Sequence, residues 1–534
     1  MLIGYVSDER YVALPDVLLE FTSAAGESFE ARSRASGSVY LDLPPGEYRV
    51  VLQKAGYGAK FSRVVLPLAK PHQFRLLSDC LLGYAWPKWV RSGEASEFRV
   101  HSVEPYKLEL WRYGASPEFV QALGWHDEHG PRAVMQITPD GDYSQSGAEW
   151  NKVGYANSVH SQHVVGPERS GLYYFRASTN SGKQFSFPWI VAPSKPLAAS
   201  QTKMAVLASN ITWNAYNNFG GRSNYIHADG LPDTPTINAR AELKRYSDAG
   251  FFTWGADHYP SLSFDRPEPF NHIDFGEKIN DLIEGRQACH LAPAEWRLLG
   301  WLESRNFAYD YYAETQLDDG TLDLPQYRVL VTAVHPEYWT RRMYERVKRW
   351  VFEEGGKLAY LGGNGLNCET ELHSDGTAIF HNGKLKGLSV AGLGGYESRY
   401  ATRHESEASL LGCVFTPTGA MTGAPYKVLD ASHWAFAGTG LKDGDTFGEK
   451  SLHMRCPGGA SGHETDKVSA SSPQGVKVIA KGLNPDDGGA EMLSFTTTAG
   501  GEVFSVGSIN YVASLPVDEN VSRITENVLR RMLG

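Results

Sequence analysis

A strand, an amphipathic helix and a second strand follow one another between residues 327 and 364, and this order constrains the fold more than any other feature. The apolar run YRVLVTAV (327–334) is typical of a buried strand. A helix is predicted over 338–356, where large apolar side chains recur every three or four positions and Gly355 fits the stop: Trp339, Met343, Val347 and Trp350. KLAYLGGN (357–364) is the next strand. Because two strands joined by a helix pair in parallel through a right-handed crossover, the sequence predicts a parallel sheet here.

Further elements of the same kind surround this unit. They are a strand at KMAVLAS (203–209), helices at 238–250 and 293–307, a strand at EVFSVGSI (502–509) and a closing helix from about Asn520 to Met532. We therefore expect an α/β domain over 200–534 with a mainly parallel sheet, whose topology resembles that of glutamine-amidotransferase-like proteins. In such sheets ligands bind beyond the carboxyl ends of the strands, so the residues after 327–334 are the first place to look for a site.

The first 195 residues are β-rich. Short apolar or alternating runs between Gly, Pro and Ser predict a small β-sandwich over 1–78 and a second β-sandwich or jelly-roll domain over 79–195. The stretch LPPGEYRVVLQKAGY (43–57) resembles the carboxypeptidase regulatory-like module, which is an accessory domain without catalytic residues. APSKPLAASQ (192–201) is the predicted linker to the third domain.

Length and charge limit what the chain can bind. At 534 residues it is too long for one hydrophobic core, so several domains are expected. A formal net charge of −10 gives no basic surface for nucleic acid or anionic lipid, and no apolar run is long enough to span a membrane. The first residues lack the pattern of a signal peptide, so a cytoplasmic location is expected. The five cysteines are scattered and never form a CxxC pair, which argues against a disulfide framework or a Cys-rich zinc site.

His335-Pro336-Glu337 follows the strand predicted at 327–334 and is the first candidate for chemistry. An imidazole and a carboxylate can both bind a ligand or a metal, but the pair by itself is a weak motif. A structural role is also compatible with the sequence, because a carboxylate in the first turn of the predicted helix would be stabilised by the helix dipole.

A second polar cluster, TWNAYNNFGG (212–221), follows the first strand of the same domain. Its Asn-Asn-Phe-Gly-Gly part is typical of a tight turn. Either its side chains bond the loop's own backbone, with Tyr216 as a core ring, or they face a pocket at the same end of the sheet as His335.

Taken in this order, the two clusters and several later motifs resemble the large (beta) subunit family of bacterial N,N-dimethylformamidase. The resemblance covers roughly residues 200–534, and no single motif decides it. Beyond the two clusters, the matching motifs are GRSNY (221–225), SFDRP (263–267), GGNG (362–365), HWAFAGTGLKDGDTFG (433–448), GHETD (462–466) and VFSVGSINY (503–511).

The resemblance implies a hydrolase that cleaves the C–N bond of a small N-substituted amide or formamide, with one iron(III) per chain held by two tyrosinates and one glutamate. Carried over motif by motif, the ligands are Tyr216, Glu337 and a second tyrosine, for which Tyr259 is preferred and Tyr225 is the alternative. Phenolate and carboxylate are hard oxygen donors suited to a trivalent cation, which would polarise the substrate carbonyl and lower the pKa of a bound water.

The resemblance also implies which residues handle protons and substrate. His335 or Glu464 is expected to take a proton from water and return it to the amine nitrogen. The carbonyl oxygen is expected to accept from neutral amide donors among Asn217, Asn218 and Asn364. Pro336 stands where the family pattern has aspartate, which alters the loop backbone and spares both neighbouring side chains. The partner is a small-molecule amide, and a homo-oligomer is expected for an enzyme of this size.

Two other functions are compatible with the sequence. The chain could be a non-catalytic protein that binds a glycan or another ligand on the same scaffold; the presence of both His335 and Glu337 counts against this. It could also be a thiol hydrolase, which needs a cysteine on a sharp turn after a strand with a histidine nearby. Cys368 follows the strand at 357–364, but several residues late.

Overall fold

A computed structural model describes residues 1–127, 136, 138–148, 162–194, 202–237, 258–382 and 397–534. The helix predicted over 238–250 and most of the predicted linker at 192–201 lie outside the described residues. Within the described part of the chain, no helix is long and apolar enough to cross a membrane.

Seven strands at the N-terminus form two sheets around one core. They are β1 (Leu2–Ser7), β2 (Leu18–Ser23), β3 (Ser28–Arg32), β4 (Ser38–Tyr40), β5 (Gly46–Lys54), β6 (Gly58–Leu66) and β7 (His72–Arg75). One sheet has the order β4-β1-β7 and the other β3-β2-β5-β6. Along β5, Tyr48, Val50 and Leu52 are buried in the shared core while the residues between them are more exposed, as expected for a strand with one face inward. The predicted small β-sandwich fits this arrangement.

The next region also consists of two sheets. Its elements are β8 (Leu82–Trp86), β9 (Trp89–Arg91), β10 (Ala95–His101), β11 (Tyr106–Tyr113), β12 (Pro117–His126), α1 (Tyr143–Ser146), β13 (His163–Val165), β14 (Gly171–Thr179) and β15 (Gln184–Ala192). The sheets have the orders β13-β10-β8 and β12-β11-β14-β15-β9. The predicted second β-rich region fits this description.

Two strands of the five-stranded sheet, β14 and β15, are buried on both faces. Tyr173 and Phe175 of β14 pack into the region's own core, whereas Leu172 and Tyr174, which alternate with them, pack into the core of the C-terminal part. This sheet therefore contributes to two cores. The domain boundary predicted at 195–200 stays a prediction.

The C-terminal part is built around a nine-stranded sheet. Its first elements are β16 (Met204–Ala208), α2 (Asn210–Tyr216), β17 (Leu262–Ser263), α3 (Ala292–Ser304), β18 (Asp310–Ala313), α4 (Glu314–Asp319), β19 (Val329–Val334), β20 (Tyr338–Trp339), α5 (Arg341–Phe352), β21 (Lys357–Gly362), β22 (Cys368–Leu372) and β23 (Thr377–Phe380). Then come α6 (Ala408–Leu411), β24 (Val414–Thr416), β25 (Gly423–Ala424), β26 (Tyr426–Val428), β27 (Thr446–Phe447), β28 (Ser461–Gly462), β29 (Thr465–Lys467), β30 (Lys477–Gly482), β31 (Glu491–Thr496), β32 (Glu502–Ser505), α7 (Tyr511–Ser514) and α8 (Glu519–Leu533). Short 3₁₀ turns lie at Pro269–Asn271, Leu324–Gln326, Tyr400–Thr402, Trp434–Phe436 and Pro485–Asp487.

The large sheet is mixed, with the strand order β18-β16-β19-β21-β32-β31-β30-β26-β27. From β18 to β32 neighbouring strands are parallel, and the predicted pairing of β19 with β21 is confirmed. From β32 to β27 they are antiparallel. The prediction of an α/β domain with a mainly parallel, glutamine-amidotransferase-like sheet is therefore wrong. Loops 483–490 and 497–501 are too short for the crossover that a parallel pair requires, so the strands they join turn back on one another.

The helix predicted from Tyr338 begins three residues later, at Arg341. Tyr338 and Trp339 instead pair in parallel with the start of β22. The side chain of Thr340 then accepts a hydrogen bond from the backbone of Met343 and caps the helix. Glu337 thus precedes a strand and does not belong to the first helical turn.

Candidate functional site: a buried Tyr, Glu and His cluster

Polar side chains collect where three parallel strands end at the same edge of the large sheet. β16 leads directly into α2, whose last residue is Tyr216, and β19 is followed by His335 and Glu337. Asn364 follows β21, and Glu464 lies between β28 and β29. The structure brings these five residues together, as expected for the carboxyl ends of parallel strands.

The carboxylate of Glu337 is the centre of the cluster, and only 4% of the residue is exposed. The hydroxyl of Tyr216 donates to its Oε2 atom at 3.1 Å. The hydroxyl of Tyr225 lies 2.9 Å from Oε1 and 2.8 Å from Oε2. The rings of the two tyrosines pack on each other with centroids 4.3 Å apart. Two phenol oxygens therefore contact the same buried carboxylate.

His335 joins this carboxylate to a second one. Its Nε2 atom lies 3.3 Å from Oε2 of Glu337 and 3.3 Å from Oε2 of Glu464. Asn364 donates from Nδ2 to the same Glu464 oxygen at 2.8 Å. Burial by itself lowers the pKa of His335, but the two carboxylates outweigh it and the pKa is raised overall.

The two carboxyl groups differ in their titration. Burial raises the pKa of Glu337, and the opposing effect of His335 does not cancel it. Burial also acts to raise the pKa of Glu464, but hydrogen bonds from His335 and Asn364 reverse the direction and lower it. Environments that shift the pKa values of two neighbouring carboxyl groups in opposite directions are typical of acid–base sites.

The backbone around the cluster has unusual conformations. Val334, Asn364 and His463, each next to or part of the site, have φ values of 61°, 48° and 65°. A positive φ is rare for a β-branched residue such as Val334 and costs about 1–3 kcal/mol. Gly363 has no room for a side chain, because a Cβ atom would lie 2.6 Å from the carbonyl oxygen of Glu464. This close approach brings Asn364 up to Glu464.

Three buried histidines were not predicted as part of the site. The Nδ1 atom of His290 lies 3.0 Å from Nδ1 of His335, and its ring packs against Tyr216 with centroids 4.4 Å apart. Nε2 of His453 lies 3.1 Å from Nδ1 of His463, whose ring packs against His290. Burial lowers the pKa of all three. His290 follows a loop and belongs to no motif, and His453 and His463 lack zinc-ligand spacing, so no sequence signal marked them.

The structure places the remaining predicted residues as follows. Tyr259 is buried on the segment before β17. Asn217 donates to the carbonyl of Pro267 and accepts from the backbone of Phe219, so it braces its own loop. Asn218 is half-buried beside it. The roles predicted for Tyr259 and Asn218 stay predictions.

The cysteine alternative has an unfavourable environment. Cys368 is fully buried at the start of β22, and burial raises the pKa of its thiol far above the ordinary value. A thiol that stays protonated is a poor nucleophile, so the geometry does not favour a thiol hydrolase.

Among the residues that the structure describes, no group of three His, Cys, Asp or Glu side chains could hold a metal ion.

Comparison with known proteins agrees with the motifs. The family described as N,N-dimethylformamidase beta subunit-like, C-terminal, matches residues 118–524. The N,N-dimethylformamidase beta subunit of Paracoccus aminophilus is 24% identical over 68% of this chain and 52% of its own length. That of an Alcaligenes species is 26% identical over 45% of this chain and 37% of its own length. The chain thus spans about half or less of the curated relatives it matches.

Similarity to solved structures is weak by contrast. A cold-adapted beta-galactosidase from Rahnella sp. R3 aligns with 46% of this chain and 27% of its own, at 12% identity and a TM-score of 0.24, too low to indicate a shared fold. The family match covers well over half of the chain and includes every residue of the cluster. The chain therefore belongs to the N,N-dimethylformamidase beta subunit-like family.

Proposed function

We propose that this chain is a metal-dependent hydrolase that cleaves the C–N bond of a small N-substituted amide or formamide, and that the metal is one iron(III) ion per chain. The observation that carries the proposal is the contact of a buried phenol, Tyr216, with a buried carboxylate, Glu337, beside the His335–Glu464 pair. The names of the curated relatives support the bond type.

The donor set fits a hard cation. Oxygen ligands are those that trivalent and other hard ions prefer. Burial raises the pKa of Tyr216 well above that of a free phenol, so by itself this oxygen favours its neutral form. A bound cation would reverse that preference, because a nearby positive charge stabilises phenolate and carboxylate. Tyr216, Glu337 and one further tyrosine would hold the ion, which would polarise the amide carbonyl and acidify a water molecule.

The protein's own groups account for the proton transfers. Glu464 favours its charged form, so it is the group ready to accept a proton from the attacking water. Its Oε2 atom is held between Nε2 of His335 and Nδ2 of Asn364, which orient it. The accepted proton can then pass to the amine nitrogen as the C–N bond breaks. The amide group of Asn364 is also a neutral donor within the cluster and can stabilise negative charge on the carbonyl oxygen.

Replacing the two proposed ligands tests the function. Tyr216→Phe removes one hydroxyl and Glu337→Gln removes one charge, and both are expected to lose bound iron, the visible phenolate-to-iron band and amide hydrolysis together. Elemental analysis, the visible spectrum and amine release from small formamides measure the three effects. Tyr312→Phe, which removes a buried hydroxyl from another tyrosine pair, is the matched control. Full iron and activity in both ligand variants would contradict the proposal, and wild-type protein without iron or hydrolysis would favour a ligand-binding role.

A further inference from the structure

Helix α2 contacts the proposed site at two points that lie one turn apart. Its last residue is Tyr216, whose hydroxyl meets Oε2 of Glu337. Four residues earlier, Oγ1 of the fully buried Thr212 accepts a hydrogen bond of 3.1 Å from the backbone nitrogen of Glu337. Because residues four apart lie on the same face of a helix, one face of α2 contacts both the side chain and the backbone of Glu337.

The turn that presents Glu337 also has support of its own. The backbone nitrogen of Glu337 donates to the carbonyl of His335 at 2.9 Å, which closes a three-residue turn around Pro336. The carbonyl of Glu337 accepts from the backbone of Cys368 at 3.1 Å. These two bonds shape the turn and tie it to the start of β22. Neither reaches α2, so they do not set the distance between Glu337 and Tyr216.

A second link between α2 and this region is indirect. The carboxyl group of Glu314 accepts from the backbone of Ile211 at 3.4 Å and from the indole of Trp339 at 2.8 Å. It therefore joins the first turn of α2 to β20, two residues beyond Glu337. The bond from Thr212 differs, because it reaches the backbone of the proposed ligand itself.

Helix α2 is fixed near both of its ends. Near its start, the carboxyl group of Glu295 accepts from the indole of Trp213 at 2.8 Å. Near its end, the buried guanidinium of Arg266 donates to the backbone and side-chain oxygens of Asn214 at 3.3 and 3.2 Å. A helix of seven residues is marginal by itself, so contacts of this kind determine where it lies. The hydroxyl of Thr212 is therefore held in one place.

We propose that Thr212 is a positioning residue, whose hydroxyl oxygen keeps the backbone of Glu337 at a fixed distance from Tyr216 so that carboxylate and phenol can bind one ion. The inference rests on the proposed function, because this distance matters for holding the metal. The bond joins a hydroxyl to a backbone amide, and neither of these groups changes its charge. Loss of an outer partner of a metal ligand typically weakens metal binding by about 10–100-fold.

Replacing Thr212 with valine removes the acceptor and little else. Valine has the shape of threonine, with a methyl group in place of the hydroxyl. The backbone nitrogen of Glu337 keeps its bond to the carbonyl of His335, so no buried donor loses its last partner. The expected loss is therefore one of ligand position, not of folding.

The test compares Thr212→Val, Thr212→Ser and Thr212→Ala with wild type, all in the full-length protein. Serine keeps the hydroxyl and is the rescue variant. Serine and alanine also differ by this hydroxyl alone, so they decide the question if the valine variant does not fold. Thr525→Val is the matched control, because Thr525 is a fully buried helical threonine whose hydroxyl bonds Tyr511 and the carbonyl of Val521.

The readouts are iron affinity against a competing chelator, the position of the visible band, kcat and KM for a small formamide, and thermal unfolding of the metal-free protein. We expect Thr212→Val to bind iron about 10–100-fold more weakly than wild type, with a shifted band. Its metal-free form should unfold no earlier than that of Thr525→Val. Thr212→Ser should bind iron as wild type does, and Thr212→Ala as weakly as Thr212→Val.

Two results would overturn the inference and leave the proposed function intact. One is a Thr212→Val variant with the iron affinity and visible band of wild type. The other is equal iron affinity in the serine and alanine variants, which would show that the hydroxyl has no part in metal binding. Wild-type protein that binds no iron would overturn the proposed function and this inference with it.

Discussion

At the scale of single residues, Glu464 separates proton transfer from metal binding. Its pKa is lowered by His335 and Asn364 against the effect of burial, and the proposed function makes it the base and not a ligand. Glu464→Gln keeps the shape and the acceptor for Asn364 but removes the base. We expect hydrolysis to fall about 10²–10⁴-fold with iron content unchanged, measured by amine release and elemental analysis on the same samples.

The control for this variant is a glutamate paired with a histidine elsewhere. Glu371 meets His381 at 2.7 Å on the surface, so Glu371→Gln removes the same kind of pair away from the cluster. It should leave the rate unchanged. A Glu464→Gln enzyme that hydrolyses amides at the wild-type rate would exclude Glu464 as the base.

Part of the cluster could be predicted from the strand that precedes it. His335 and Glu337 follow the apolar run of β19 closely, and the rule that ligands bind beyond the ends of parallel strands points to this loop. Asn364 and Glu464 were predicted only through the family resemblance. His290 could not be predicted, since it precedes α3 in a loop without a motif and reaches the cluster only through the packing of that loop. The spacing of apolar residues predicts a helix at Tyr338, but the residue lies in a strand, so its contact with Tyr225 could not be predicted.

At the scale of elements, Glu295 joins three of them. It lies in α3 and accepts hydrogen bonds from Trp213 of α2, from the backbone of Ser209 before α2, and from Tyr311 of β18. Burial nevertheless raises its pKa to about 7. A carboxyl group whose pKa is higher in the folded than in the unfolded state adds to the free energy of unfolding while it is protonated. This contribution of Glu295 is fully present below pH 4.5 and is lost as the pH rises through about 7.

Glu295→Gln is therefore expected to remove a pH dependence. Glutamine can accept from Trp213 and Ser209 through its oxygen and donate to the hydroxyl of Tyr311, so the three elements stay joined. Relative to this variant, wild type should lose up to about 3 kcal/mol of unfolding free energy between pH 5 and pH 8. Guanidinium unfolding at both values measures the difference, with the more exposed Glu405→Gln as control. Equal pH dependence in wild type and Glu295→Gln would contradict it.

At the scale of the whole molecule, an apolar run predicts a buried strand but not its direction. The runs at β19 and β21 were assigned correctly because a helical pattern lies between them, which requires a crossover. No such pattern lies between β30, β31 and β32, and their short connections make hairpins. The same apolar composition suits both arrangements, so the mixed sheet depends on loop length more than on the strands.

At the same scale, a buried ion pair joins the β-rich regions to the C-terminal part and bears on whether they unfold together. Lys88, just before β9, and Glu268, in the C-terminal part, form an ion pair of 2.5 Å that is almost completely buried. Burial lowers the pKa of Lys88, and Glu268 partly restores it. Removing one partner of such a pair leaves an unpaired buried charge, which costs about 3–5 kcal/mol, whereas replacing both partners is often close to neutral. Lys88→Met is therefore expected to destabilise the whole chain, and Lys88→Met with Glu268→Gln to recover most of the loss.

In guanidinium unfolding, wild type and both variants should show one transition, because the sheet of β14 belongs to both cores. Two separate transitions, or a Lys88→Met midpoint equal to that of wild type, would show that the regions are stable independently.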